Sequence, residues 1–166
     1  MLAAGMLAFA PFTGRAAPAA DAPATDLQLR VTIPSAWMPM LEENVTDVIY
    51  SRLTDVFERK GFTGRVTEVR SYQKASSEAP LLTINLLDWE MDSNGRINVA
   101  FNAWLATAEG SWDMGNYHTL GFAWAAGTGR FGLSDAYGET MERALQQVYD
   151  RLAQTDKIPG LVPAGG

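Results

Sequence analysis

The chain has no cysteine and a single histidine, His118, among its 166 residues. The first absence excludes disulfides, a thiolate nucleophile and a lipid-bearing cysteine behind an export signal. Together the two absences leave no zinc site, since structural zinc draws on Cys and His. Long apolar runs are missing as well. M-L-A-A-G-M-L-A-F-A-P-F, at residues 1–12, stops well short of the roughly 20 residues a bilayer-spanning helix needs. Basic residues are few: 13 Lys and Arg against 19 Asp and Glu give a net charge of −6. They are too scattered to build the basic face that nucleic acid or an anionic membrane surface would require.

What remains is ordinary for a globular protein, with 47% hydrophobic and 19% charged residues and enough length for one domain with its own core. The head differs from the rest. Its apolar run is followed by small residues, and Ala17-Pro18-Ala19 and Ala20-Asp21-Ala22 both fit the A-x-A pattern of a signal-peptidase site. No Lys or Arg precedes the run. Residues 1–22 therefore read as an export signal and 23–26 as a linker. Residues 27–155 form one domain and 156–166 an irregular, mobile tail. An exported chain without Cys or a membrane span belongs in a periplasm or outside the cell, with no stable membrane anchor.

Within the domain, Leu27, Leu29, Val31 and Ile33 alternate with Gln28, Arg30 and Thr32, the period of a strand with one buried face. Leu41, Val45, Val48, Ile49, Leu53, Val56 and Phe57 then recur every three or four residues, an amphipathic helix stopped by Gly61. Residues 65–72 predict a strand and Q-K-A-S-S-E-A-P a polar loop. Two further strands are predicted at 80–92 and 96–107, and a polar turn from Thr107 to Asn116. A last strand runs from Tyr117 to Ala126. Ser134 is placed to cap a final helix whose stripe is Tyr137, Met141, Ala144, Leu145, Val148 and Leu152. The first strand–helix–strand unit predicts a parallel pair, and the short later connections predict antiparallel ones. The fold class is α+β: a mixed, mainly antiparallel sheet of four to five strands with two helices packed on one face.

The stretch E-M-D-S-N-G-R-I-N-V-A-F, residues 90–101, has the look of a calcium loop. An EF-hand, however, needs Asp first, a bidentate Glu twelfth and flanking helices, whereas here Glu90 and Phe101 occupy those places between two strands. A hairpin is the better reading, and its register follows from the side chains. A three-residue loop, Ser93-Asn94-Gly95, pairs Met91 with Ile97, Trp89 with Val99 and Leu87 with Phe101, collecting the large apolar residues on one face.

Gly127, Gly129 and Gly132 spell G-x-G-x-x-G between a strand and a helix, the setting of a phosphate-binding turn. No second parallel strand or ribose-binding acid follows, so a nucleotide is not implied. Gly127, Gly129 and Ser134 stay as a candidate anion loop. His118, in a strand, has no Asp or Ser partner by spacing. Asp88, Glu90 and Asp92 share one strand face and would serve as acid and base only beneath a cleft. No catalytic residue, metal site or cofactor is assigned. Trp89, Trp104 and Trp124 read as strand packing, while Trp37 and Trp112 lie in predicted connections. With Tyr117 those last two form the candidate interaction surface.

The layout resembles that of small Gram-negative envelope proteins, among them transport-auxiliary, lipopolysaccharide-assembly and penicillin-binding-protein-activator lipoproteins. Over residues 27–154 the likeness rests on an early helix ending R-K-G-F before a strand, the hairpin around L-L-D-W-E-M-D-S-N-G, and the last helix M-E-R-A-L-Q-Q-V-Y-D-R-L; the export-like head adds to it. The resemblance implies a non-enzymatic accessory that docks onto a larger envelope assembly. It carries over no site residue, and the lipid-bearing Cys of such proteins is missing here. The sequence thus predicts a periplasmic or secreted interaction domain with an envelope protein as partner. Binding of a small ligand or anion by the 127–134 loop is the alternative, and an enzyme built on Asp88, Glu90 or His118 comes third.

Overall fold

The computed structural model describes residues 25–34, 39–123 and 130–162. In chain order these form β1 (Leu27–Thr32), α1 (Pro39–Arg59), β2 (Val66–Glu68), β3 (Leu81–Met91), β4 (Arg96–Thr107), β5 (Gly110–Phe122) and α2 (Arg130–Ala153). The five strands make one mixed sheet in the order β2-β1-β3-β4-β5, with β1 parallel to β2 and β3 and the remaining pairs antiparallel. Both helices pack on one face, as the two apolar stripes require. The proposed head, residues 1–22, lies outside the described residues.

The period-two pattern of β1 becomes a buried row of Leu27, Leu29 and Val31. α1 ends as its Gly61 predicts. Gly61 takes φ +86°, its amide bonds the Glu58 carbonyl at 3.0 Å, and Phe62 N–H reaches back to Phe57 O at 2.9 Å. The two rings then meet edge to face at 5.6 Å, so the helix stop also seals one corner of the core. β2 is shorter than the 65–72 predicted. From it the chain does not turn back into a hairpin; it crosses over β1 to reach β3. Gln28 makes that crossing possible. Its amide donates to the carbonyls of Ser76 and Ala79 at 2.9 Å and accepts from Ser76 N–H at 2.7 Å, replacing the water it loses on burial.

The β3–β4 hairpin has the predicted loop and register. Asp92 N–H bonds Arg96 O at 2.9 Å, Gly95 takes φ +76°, and Met91 faces Ile97 as Trp89 faces Val99. One pair differs: Leu86, not Leu87, lies opposite Phe101. A bulge at Leu87 shifts the alternation by one, so Leu86 is buried and Leu87 is 56% exposed. β5 begins at Gly110, seven residues ahead of prediction, because Ser111-Trp112-Asp113 pairs with β4. A second bulge leaves Met114 without a partner between the Ala103–Gly115 and Trp104–Asp113 pairs.

Two readings at the C-terminal end are corrected. Ser134 is not the cap of α2, since the helix starts at Arg130 and Ser134 stands exposed in its second turn. The predicted mobile tail belongs, through residue 162, to the folded body. Ile158 is 3% exposed, Leu161 packs on the core, and Val162 N–H donates to Tyr149 Oη at 3.1 Å. Ile158 and Leu161 close the end of the helix layer, and Val162 contributes only its backbone.

Candidate functional site

Alternation along β3, β4 and β5 sends every second residue away from the helices. On β4 these are Asn98, Ala100, Asn102 and Trp104; on β5, Asn116, His118, Leu120 and Phe122; on β3, Thr83, Asn85, Asp88 and Glu90. No described helix covers this face. The 70–80 crossing lies only over β1, where Arg30 Nη2 donates to Gln73 O at 2.8 Å. The open part is thus a broad three-stranded floor ending at β5, the outermost strand of the sheet.

The floor is polar at its centre and apolar toward its borders. Asn85 Nδ2 donates to Asn102 Oδ1 at 2.8 Å across β3 and β4. Beside that pair, Asn98 joins two titratable groups: its Nδ2 donates to Asp88, and its Oδ1 meets His118 Nε2 at 2.6 Å. Since an amide oxygen can only accept, Nε2 carries the proton. The imidazole is held with Nδ1 free of that contact. Glu90, Asp92, Arg96, Asn98, His118 and Leu120 line a shallow open cleft of about 270 Å³ at the hairpin end. Large apolar side chains meet solvent at both ends of the floor: Leu120 at 38% and Phe122 at 54% exposure by the cleft, and Trp104 at 41% at the far end, with Leu87 at the bulge.

The predicted site residues are redistributed. His118 and Asp88, far apart in sequence and without an apparent partnership, are brought together through Asn98. Glu90 stands nearby. Asp92 is occupied by its own turn, its carboxylate accepting from Asn94 N–H at 2.8 Å and Arg96 N–H at 3.0 Å. That role explains an acidic residue in a D-S-N-G turn without a metal. Trp112 is not in a connection. It lies in β5 facing the core, half-buried, with the Lys157 ammonium 4.9 Å from its ring centre. Tyr117 also faces the helix side, stacked on Phe101 at 5.1 Å with its hydroxyl donating to Met114 O at 2.7 Å. Burial raises its pKa above 10.0, with Arg151 lowering and Asp113 raising it in turn. Trp37, Trp124, Gly127 and Gly129 lie outside the described residues, and Ser134 alone remains of the candidate anion loop.

Trp104, Leu120 and Phe122 were absent from the candidate surface, although their positions were readable. Trp104 follows Asn98, Ala100 and Asn102 at period two, opposite in phase to Ile97, Val99, Phe101 and Ala103. Trp89 shows the converse. It faces the helices, stacked on Tyr137 at 4.7 Å. Tyr137 also titrates above 10.0, chiefly through burial and then through Glu90 and Asp88.

No family model matches the chain, and no curated protein sequence does. Solved structures share its arrangement. One is described only as an uncharacterized protein, 9% identical over 75% of this chain and 89% of that one, at a TM-score of 0.51. PelC from Paraburkholderia phytofirmans, solved as a dodecamer, is 12% identical over 75% and 88%, at 0.48. A DUF330 protein from Xanthomonas campestris is 11% identical over 80% and 86%, at 0.45. Weaker similarity extends to a minor lipoprotein from Acinetobacter baumannii and the rare lipoprotein B from Shewanella oneidensis, 10% and 9% identical, at TM-scores of 0.39 and 0.31. Likeness at this identity concerns the fold alone. Among the described residues no helix is long and apolar enough to cross a membrane.

Proposed function

We propose that the chain is a non-enzymatic, envelope-associated interaction domain, and that it docks a larger partner on the open face of β3, β4 and β5. One observation carries the reading. The same three strands that bury Leu82, Ile84, Leu86, Ile97, Val99, Phe101 and Leu105 toward the helices present Trp104, Leu120 and Phe122 to solvent on the other side. Exposed aromatic and aliphatic groups on one flat surface favour association, because covering them releases ordered water at roughly 25 cal/mol per Å². The asparagines between them supply donors and acceptors that fix the orientation of a partner. The export-like head speaks for the envelope, as does the resemblance in layout.

Absence of catalysis is part of the proposal. Asp88 and His118 share the amide of Asn98, which ties both to a structural role, and the cleft beside them is shallow. The ligand-binding alternative depended on the 127–134 loop, of which 127–129 lie outside the described residues while 130–134 form the start of α2. No observation on the described part favours it.

The test is a comparison of captures from envelope extract. Wild-type bait, a Trp104→Lys bait and a bait altered on the opposite side, Gln147→Lys on exposed α2, are used in parallel. The proposal predicts a partner retained by wild type and the α2 variant and lost by Trp104→Lys. Equal capture by all three contradicts it.

A further inference from the structure

The outer edge of β5 is treated differently along its two halves. In the half that includes the bulge, the peptide between Met114 and Gly115 is turned out of the regular edge and held by the strand's own side chains, one on each face of the sheet. The Asp113 carboxylate accepts from Gly115 N–H at 2.7 Å, and Tyr117 Oη donates to Met114 O at 2.7 Å. A bulge of this kind breaks the regular row of outward donors and acceptors and so blunts the edge. From Asn116 to Leu120 the strand is regular. Ala123 N–H bonds Gly95 O at 2.8 Å, which makes Arg96–Phe122 a pair without mutual hydrogen bonds. By strict alternation the amides and carbonyls of Asn116, His118 and Leu120 then point away from β4 into solvent.

We infer that this half-edge pairs with a second copy of the chain, antiparallel about a two-fold axis at His118. Three outward-pointing residues form a self-complementary set: His118 exchanges bonds with its symmetry mate, and Asn116 does so with Leu120 of the other copy. About six inter-chain hydrogen bonds result. Charge selects a second copy over a foreign strand. On the open face Arg96 stands across from Phe122 near one end of the half-edge, and Asp113 stands beyond the other. Two-fold pairing brings each Arg96 toward Asp113 of the other copy, with one strand between them. A gap of about two strand spacings, roughly 10 Å, is within joint reach of the two side chains. The match occurs twice, once at each end. The dimer would join the two sheets edge to edge and place both open faces on the same side, without depending on what docks there.

Sedimentation velocity of the purified protein over a concentration series tests the inference. Wild type is expected to show a reversible monomer–dimer equilibrium. His118→Pro deletes an outward amide that makes no bond to β4, a position where an edge strand tolerates proline, and should raise the dissociation constant by at least about tenfold. Arg96→Glu and Asp113→Lys should each weaken the dimer, and the double reversal should restore it. These charge variants decide the matter if the proline variant does not fold. Trp104→Ala, which tests the open face without adding a charge beside Asp113, should leave the dimer intact, so failure of one proposal is separable from failure of the other. A wild-type monomer at every concentration overturns the inference. So does a dimer indifferent to both His118→Pro and the charge reversals.

Discussion

The two faces of β4 are built from neighbouring residues and share every backbone bond, yet they differ in almost all else. Ile97, Val99, Phe101, Ala103 and Leu105 are each 0% exposed beneath the helices. Between them, Asn98, Ala100, Asn102 and Trp104 form an open floor. The contrast teaches that a strand does not choose its burial as a unit. Alternation assigns each residue to a face, and the helices, having one apolar stripe each, cover only one. The open face therefore carries what the core excludes, an Asp–Asn–His chain and an Asn–Asn pair, alongside apolar groups the core did not take.

Substitutions at adjacent positions should separate the faces, and the largest effect belongs to the covered one. Phe101→Ala empties a fully buried site against Tyr117 and should cost about 3–5 kcal/mol in chemical denaturation, whereas Asn102→Ala next to it should cost about 1. If the two costs were equal, the comparison of faces would fail. Next in size, Gly121→Ala directs a Cβ into the Thr140 hydroxyl on α2 and should lose about 1–3 kcal/mol. Adding Thr140→Ala should recover part of that loss, because the two positions contact each other. Asn98→Leu leaves Asp88 and His118 without their shared amide and should cost about 1 kcal/mol, since both remain near water. Trp104→Ala should change stability least, by less than about 1 kcal/mol, while abolishing partner capture.

Alkaline pH offers an independent probe of the covered face. Tyr117 and Tyr137 both titrate above the ordinary 10.0, with burial as the leading cause. A raised phenol pKa favours the folded state while the group is protonated. That contribution is complete below pH 10 and is lost as pH climbs through the folded-state values. Absorbance titration should show two tyrosines ionising above the ordinary 10.0, with loss of stability following them. Replacing Tyr137 with Phe should remove one late step.

Much of this architecture was legible because single residues decide it. Gly61 and Gly95 announce a helix stop and a hairpin, and both adopt the positive φ those turns need. Apolar spacing alone placed α1, α2, β3 and β4. What escaped were events that depend on partners distant in sequence. The Leu87 bulge is invisible in L-L-D-W, where two leucines compete for one place opposite Phe101. The crossing over β1 depends on Gln28 meeting a loop 48 and more residues away. β5 was begun too late because Gly110 to Asn116 has turn composition, yet its backbone pairs with β4. That error moved Trp112 and Tyr117 onto the candidate surface. The Asp88–Asn98–His118 chain needed the registers of both hairpins before its members could be joined.

The most direct trial of the central claim is site-specific photocrosslinking in living cells, with the reactive residue at Asn102 on the open face or at Arg143 on exposed α2. The account predicts a crosslinked partner from position 102 and none from 143. Crosslinks from 143 alone would contradict it.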